Sequence, residues 1–295
     1  MIKLITHNDL DGIGCHVVAK YFLEEEIDVD YCTYKNVNEV VLEVIEKHEQ
    51  YDKIFITDIS VNEEIAKRLD EIKNKVGLFD HHPTALFLNE YDWASVEIEC
   101  EKGKTCGTKM IFDFLRRDNI NPSICYFVEL VRKYDTWEWK DKYDDEIPKQ
   151  LNDLMYMIGR KEFVDDMIYK TKSNEVLFDS LYCKLLELKQ REIDNYIKQK
   201  DKNLIIKDIL GYNAGIVFAE SHTSELGNKL SELHPELDFI AMINQETISY
   251  RTIKDDVNLS EVSKCFGGGG HPKASGSQVS RYCVDKFIED IFKIR

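Results

Sequence analysis

The chain has 295 residues, 43% of them apolar and 32% charged, and carries a formal net charge of −16 from 55 acidic and 39 basic side chains. At ~150 residues per domain this length predicts two domains. The apolar share suffices for buried cores and excludes a disordered chain, and with no run near ~18 apolar residues a transmembrane helix is excluded. The acid excess argues against non-specific binding of long nucleic acids, which needs a broad basic surface, but admits a short anionic substrate held through cations at a local site. The opening apolar run at 2–6 is too short for a signal peptide. The eight cysteines, at 15, 32, 100, 106, 125, 183, 265 and 283, contain no C-x-x-C pair. The expectation is a cytoplasmic protein with reduced, mostly buried thiols.

In chain order, residues 2–6 predict a short buried strand and 14–23 a helix with Val17, Val18, Tyr21 and Phe22 available for packing. A strand at 29–34 and a helix at 37–48 follow, then a strand at 53–57 that ends at Asp58. Ser60-Val61-Asn62-Glu63 has the form of a capping box and opens a helix to about residue 74. Residues 76–79 are the next strand, ending at Asp80. This β–α alternation predicts a parallel sheet with helices on both faces. Beyond Tyr91 the pattern turns helical, with helices at 108–117 and 123–133, a charged loop at 140–146, and a long amphipathic segment at 176–200. A second strand–helix series then begins: strands at 204–206 and 214–219, a helix at 224–233, strands at 239–243 and 248–253, and the glycines 267–270.

The residues that carry chemistry cluster where strands end. His7, Asp9 and Asp11 are spaced by two, so an extended segment would aim all three the same way, and Gly12 and Gly14 permit a tight turn into the helix. Asp58 follows one strand, Asp80-His81-His82 another, and Asp135 lies in Tyr134-Asp135-Thr136-Trp137 past a helix. Taken singly, a helix cap or a solvated turn accounts for Asp58, Asp135 or the first cluster. Taken together, five or more Asp and His groups at the carboxyl ends of parallel strands share one crevice. They would repel one another or shift their pKa values unless cations neutralise them.

With these residues in view, His7-x-Asp9-x-Asp11-Gly12, the lone Asp58, Asp80-His81-His82 and Asp135 resemble the four motifs of the DHH phosphoesterase superfamily. The tail Gly267-Gly268-Gly269-Gly270-His271-Pro272-x-Ala274-x-Gly276 resembles the associated DHHA1 substrate domain, and Ser221-His222-x-Ser224-Glu225-Leu226-Gly227-Asn228 is most similar to the oligoribonuclease B branch. The resemblance implies an α/β fold with a DHH domain at 1–175, a linker helix at 176–203 and a smaller DHHA1 domain at 204–295. It further implies two manganese ions: His7, Asp9 and Asp58 would hold one, and Asp11, Asp58, His81 and Asp135 the other, with Asp58 bridging. Mixed carboxylate and imidazole ligands suit Mn²⁺, with Co²⁺, Mg²⁺ or Zn²⁺ as substitutes. The two ions would share and deprotonate one water for in-line attack on phosphorus. Asp80 would orient an imidazole, and His82 would contact phosphate or protonate the leaving oxygen.

In the second half, glycine amides at Gly268, Gly269 and Gly270 can approach phosphate oxygens closely, with His271 as a further donor. The family pattern assigns a substrate phosphate to Arg251. Trp137, Trp139 and Tyr134 could stack a base, although aromatics more often pack in cores. The expected function is a manganese-dependent phosphodiesterase that hydrolyses short single-stranded RNA to nucleoside 5′-monophosphates, gripping its substrate from two domains. It would have no membrane and no long-duplex partner, and homo-oligomerisation stays open. The alternatives are a phosphatase or phosphodiesterase for small nucleotides, such as 3′-phosphoadenosine 5′-phosphate or linear or cyclic dinucleotides, and a non-catalytic nucleotide or metal sensor.

Overall fold

Strands apolar along both edges of their pleat need cover on both faces, and the first sheet has it. In the computed structural model, which describes residues 1–293, β1 (Ile2–His7), β2 (Ile27–Cys32), β3 (Lys53–Thr57), β4 (Val76–Asp80) and β5 (Ala94–Val96) form a parallel sheet in the order β2-β1-β3-β4-β5. Alternate side chains enter two separate cores. Ile2, Leu4, Phe55 and Phe79 pack with helices on one face, whereas Ile5, Ile54, Ile56 and Leu78 pack on the other. The first face is covered by α1 (Leu10–Phe22), α4 (Gly107–Leu115), α5 (Pro122–Asp135), α7 (Ile147–Ile158) and α8 (Arg160–Lys172), the second by α2 (Val37–Glu46) and α3 (Glu63–Asp70). A short α6 (Glu138–Asp141) and a two-stranded ribbon, β6 (Glu99–Cys100) with β7 (Gly103–Lys104), complete this part.

The contacts divide the chain into two compact units, Met1–Leu186 and a second that begins at Glu187, and α9 (Ser180–Asp201) crosses the division. The second unit is a mixed six-stranded sheet in the order β12-β13-β11-β10-β9-β8. Its strands are β8 (Ile205–Ile209), β9 (Tyr212–Phe218), β10 (Phe239–Ile243), β11 (Thr247–Arg251), β12 (Gly269–His271) and β13 (Ala274–Gln278). With them go α10 (Thr223–Leu233), α11 (Leu259–Lys264) and α12 (Arg281–Phe292). The class is thus the expected one: a parallel sheet between helices, then a shorter α/β unit. Among the described residues no helix is long and apolar enough to cross a membrane.

Several local expectations are corrected. α1 begins at Leu10, because the Asp9 carboxylate caps it by accepting the Gly12 N–H at 3.1 Å. Asp11 therefore sits in the first helical turn and not on an extended segment. α3 is capped by Asn62, which accepts the Ile65 N–H at 2.9 Å, while the Ser60 hydroxyl bonds Asp80 instead. α7 and α8 fill a stretch where no element was expected, separated at Gly159 with φ +87°. Asp135 is the last residue of α5, not a loop residue. Of the eight free cysteines only Cys15, Cys32 and Cys106 are buried; Cys125, Cys183, Cys265 and Cys283 are exposed.

α5 carries Asp135, and its position is set by a buried cation one turn earlier. The Arg132 side chain is fully buried; it donates to Glu129 on its own helix, to Glu138 of α6 at 2.7 Å and to the Lys104 carbonyl of β7 at 2.7 Å. Removing one partner of a buried ion pair strands the others. Arg132→Leu is expected to lower unfolding stability by about 3 kcal/mol in urea titrations, whereas an unchanged midpoint would show that these contacts hold nothing in place.

Candidate metal centre

β1, β3 and β4 are neighbours, and each delivers acidic or imidazole groups at its carboxyl end. His7 ends β1, Asp58 follows β3, and Asp80 ends β4 ahead of His81 and His82. Asp58 adopts φ 57°, a left-handed conformation that Asp tolerates better than most residues, and its N–H donates to the Phe79 carbonyl at 2.9 Å. A Cβ on Gly107 would fall 2.6 Å from the Asp58 Cβ and 2.9 Å from its Cα, so only glycine lets α4 approach this close.

All eight Asp and His residues expected in this site converge. Three groups offer ligand atoms within 4.8 Å of one another: His7, Asp9 and Asp58; Asp11, His81 and Asp135; and Asp58, Asp80, His81 and His82. His81 Nε2 lies 3.3 Å from Asp58 Oδ1, 3.4 Å from Asp135 Oδ2 and 3.7 Å from Asp11 Oδ2. His7 Nδ1 lies 2.7 Å from Asp9 Oδ2 and 3.8 Å from Asp58 Oδ2.

The protein treats these carboxylates in two ways. Asp11, buried, accepts the Gly107 N–H at 2.6 Å and the Thr108 N–H at 2.8 Å from the N-terminus of α4, whose dipole favours an anion there. Asp80, also buried, accepts from the Ser60 hydroxyl, the N–H of His81 and the Nδ1–H of His82. Burial would raise Asp80, but these partners, His82 foremost, hold it below the ordinary value; the Asp80 hydrogen bond in turn raises His82. Asp58 and Asp135 receive no such help. Asp58 Oδ2, Asp135 Oδ2 and His81 Nε2 are buried without a hydrogen-bond partner. Burial first, then the charges of Asp11 and Asp9, pushes Asp58 well above its ordinary value and Asp135 up to about 9. Burial lowers His81. Lone pairs that face one another with no donor between them are what a divalent cation requires, and oxygen with imidazole nitrogen is a donor set such cations accept. The residues fit a metal.

The remaining candidates lie in the second unit. β11 pairs with β13 and β13 with β12 so that Arg251 and His271 both face Ala274, which puts the three in one row across the sheet. The Arg251 guanidinium donates to the Tyr250 carbonyl and, at 3.2 Å, to the Ser224 hydroxyl in the first turn of α10. A Cβ on Gly227 would strike the Arg251 Cγ at 2.5 Å, so α10 and β11 meet through this glycine. Gly268 is equally constrained, since its Cβ would lie 2.0 Å from the Gly276 carbonyl oxygen. Gly269, Gly270 and His271 form the exposed edge strand β12 rather than a free loop. Trp139 is buried, whereas Trp137 is exposed and adopts φ 63°. Sequence reasoning missed the amides of Gly107 and Thr108, the true role of Ser60, and Ser224 and Gly227 as supports of Arg251. Gly107 beside a helix start was the one available signal.

A parallel sheet whose adjacent strands end in an Asp/His cluster with unpartnered lone pairs defines a metal-binding α/β protein. The family model for the DHH family, N-terminal domain, matches residues 1–157. The oligoribonuclease NrnB of Bacillus subtilis is 38% identical over an alignment that covers 100% of this chain and 77% of the relative. A 3′,5′-cyclic-nucleotide phosphodiesterase of Helicobacter pylori is 22% identical, with 98% and 97% covered. The solved pGpG-specific phosphodiesterase PggH of Vibrio cholerae, 16% identical, superposes over 99% of this chain and 98% of its own with a TM-score of 0.57, which shows a common fold. The chain belongs to the DHH family, on the branch of NrnB, and is a hydrolase of the phosphodiesterase class.

Near neutrality and without a cation, Asp135, raised to about 9, holds a proton that a cation must displace. Binding of Mn²⁺ at pH 7 is expected to release protons, and its affinity to rise with pH until Asp135 ionises unaided at about 9. For the cation-free fold the sign is opposite. A carboxyl raised from 3.8 to about 9 contributes stability that is full below the lower value and lost as pH climbs through the upper. Titration calorimetry in buffers of different ionisation heat reads the released protons, and an affinity independent of pH would contradict the assignment.

Proposed function

We propose that the protein is a manganese-dependent phosphodiesterase that hydrolyses short RNA oligonucleotides, down to dinucleotides, to nucleoside 5′-monophosphates. What supports the chemistry is the convergence on Asp58 of acids and imidazoles whose buried atoms lack partners. What supports the substrate is full-length likeness to an oligoribonuclease. His7, Asp9 and Asp58 would hold one cation, and Asp11, Asp58, His81 and Asp135 the other. When bound, such a pair supplies an activated water and neutralises charge that builds on the phosphoryl group.

The chain's own residues do the rest. Amides at the start of α4 fix Asp11, so the helix that follows β1 cannot drift from the cluster. Asp80 keeps the His82 proton on Nδ1, which makes Nε2 the acceptor atom of the ring. Arg251, half-buried and donating to a carbonyl and a hydroxyl rather than to a carboxylate, is a cation prepared for a second phosphate. Glycine amides and His271 on the exposed edge would add donors. On this reading residues 1–175 hold the metals, 204–295 hold the substrate and 176–203 link them. Free thiols suit a reducing, cytoplasmic setting.

Asp58→Asn is expected to abolish turnover and weaken Mn²⁺ binding in a protein that remains folded by circular dichroism. Arg251→Ala is expected to bind Mn²⁺ normally but lose roughly ten- to hundredfold in kcat/KM, the worth of a charge-assisted phosphate contact. Loss of metal from the Arg251 variant would refute the separation of roles.

Product analysis tests the substrate class. The protein is incubated with Mn²⁺ and labelled RNA of increasing length, cyclic dinucleotides and 3′-phosphoadenosine 5′-phosphate. A chain of net charge −16 gains no affinity from phosphates beyond its few cationic contacts, so kcat/KM should peak at about two to five nucleotides. A rate that climbs with length, most steeply at low salt, would instead reveal a basic binding track and a processive nuclease.

A further inference from the structure

One aromatic side chain outside every expected motif stands against the cluster. Tyr34 lies in the turn between β2 and α2, which is fixed by the N–H and hydroxyl of Thr33, both donating to Asn36 Oδ1 at 2.7 and 2.8 Å. Tyr34 is 59% exposed. Even so, its hydroxyl lies 3.0 Å from His82 Nε2, its ring 5.0 Å from the His7 ring, and, edge to face, 5.8 Å from that of His82. Burial and then the charges of Asp58, Asp80, Asp9 and Asp135 raise the phenol above its ordinary value, so it stays a donor. The other ring nitrogen, Nδ1, is 2.7 Å from Asp80 Oδ1. Asp80 is itself held by Ser60 and by the His81 N–H.

The geometry is a chain, Asp80 to His82 to Tyr34, with one imidazole gripped at both nitrogens. An imidazole held at one nitrogen still turns about that bond; held at both it keeps one tautomer and one orientation. A half-exposed tyrosine gives up rotamer freedom to make this bond, and the bond lies beside the reacting groups rather than in a core it could stabilise. We infer that Tyr34 is a positioning residue that acts through His82: its hydroxyl holds Nε2 in the free protein, so that the ring keeps the one orientation in which a substrate oxygen can take the hydroxyl's place. The inference rests on the reading of His82 as a substrate-contacting group.

Tyr34→Phe keeps the ring contacts and removes the hydroxyl. With ¹⁵N-histidine labelling and His82→Ala for assignment, the His82 Nε2 resonance is expected to move in Tyr34→Phe, with no substrate present. On a dinucleotide with Mn²⁺, kcat/KM should fall about tenfold, as for a lost orienting hydrogen bond, while Mn²⁺ affinity stays within about twofold. In a His82→Ala background the same change should cost nothing further. An unmoved His82 resonance, a full loss in the His82→Ala background, or lost Mn²⁺ binding would each overturn the inference. If the wild-type protein cleaves none of the substrates, the functional reading fails, while the resonance still decides whether Tyr34 holds His82.

Discussion

The structure turns on two backbone amides. Asp11 is buried at the head of α1, and the N–H groups of Gly107 and Thr108 meet both of its oxygens. Thr108 also returns a hydroxyl bond to the Asp11 carbonyl at 2.6 Å. Without this clasp, a carboxylate in the core would be an uncompensated buried charge, which a fold does not tolerate. With it, α1 and α4 are locked at their N-termini over the ends of β1 and β3. Gly107 then touches Asp58, and the close approach that glycine alone permits brings the second acidic residue under the first.

The contrast among four carboxylates gives the site its meaning. Asp11 and Asp80 are saturated by protein donors, and Asp80 titrates low because of them. Asp58, as deeply buried, and Asp135, half-buried, each keep one oxygen without a hydrogen-bond partner and titrate high. A protein that needed only to bury four acids could have paired all of them. Satisfying two and exposing the lone pairs of the other two to His81 separates residues that hold geometry from atoms that await a ligand. His82, raised first by its hydrogen bond to Asp80 and further by the charges of Asp11 and Asp9, belongs to the first kind of chemistry.

Sequence made much of this visible, and what it hid follows a physical rule. β1, β3 and β4 were legible because strands covered on both faces are uninterrupted apolar runs. Their terminal acids were legible because Asp and His at such positions have few packing roles. α8 was not, since scattered charges break the helical period that reveals a helix, whereas α7 carries that period in Leu151, Leu154, Met155 and Ile158 directly after a charged loop. The start of α1 was misjudged because spacing by two reads as a strand, whereas the Asp9 cap turns the chain helical one residue later. The Gly107 and Thr108 amides could not be read at all, because a backbone donor has no residue type. Ser60 was readable but ambiguous: a hydroxyl three residues before a glutamate looks like a cap, and only the third dimension shows Asp80 within its reach.

The same asymmetry bears on how an anionic substrate and an anionic protein meet. A bare cluster of Asp9, Asp11, Asp58 and Asp135 repels a phosphodiester at short range, where water is largely excluded and screening is weakest. A proton on Asp135, held up to about 9, relieves some of the crowding of the carboxylates but offers a phosphate only a neutral group. Divalent cations relieve it and leave a net attraction. The raised carboxylates therefore do more than tolerate burial. They lessen the site's negative charge until cations arrive, and they tie affinity for phosphate to cation occupancy. A lysine-lined pocket would hold phosphate at all times and would gather every polyanion in reach. In a chain of charge −16 the attraction for phosphate at this cluster is local and conditional, which suits a short substrate with few charges.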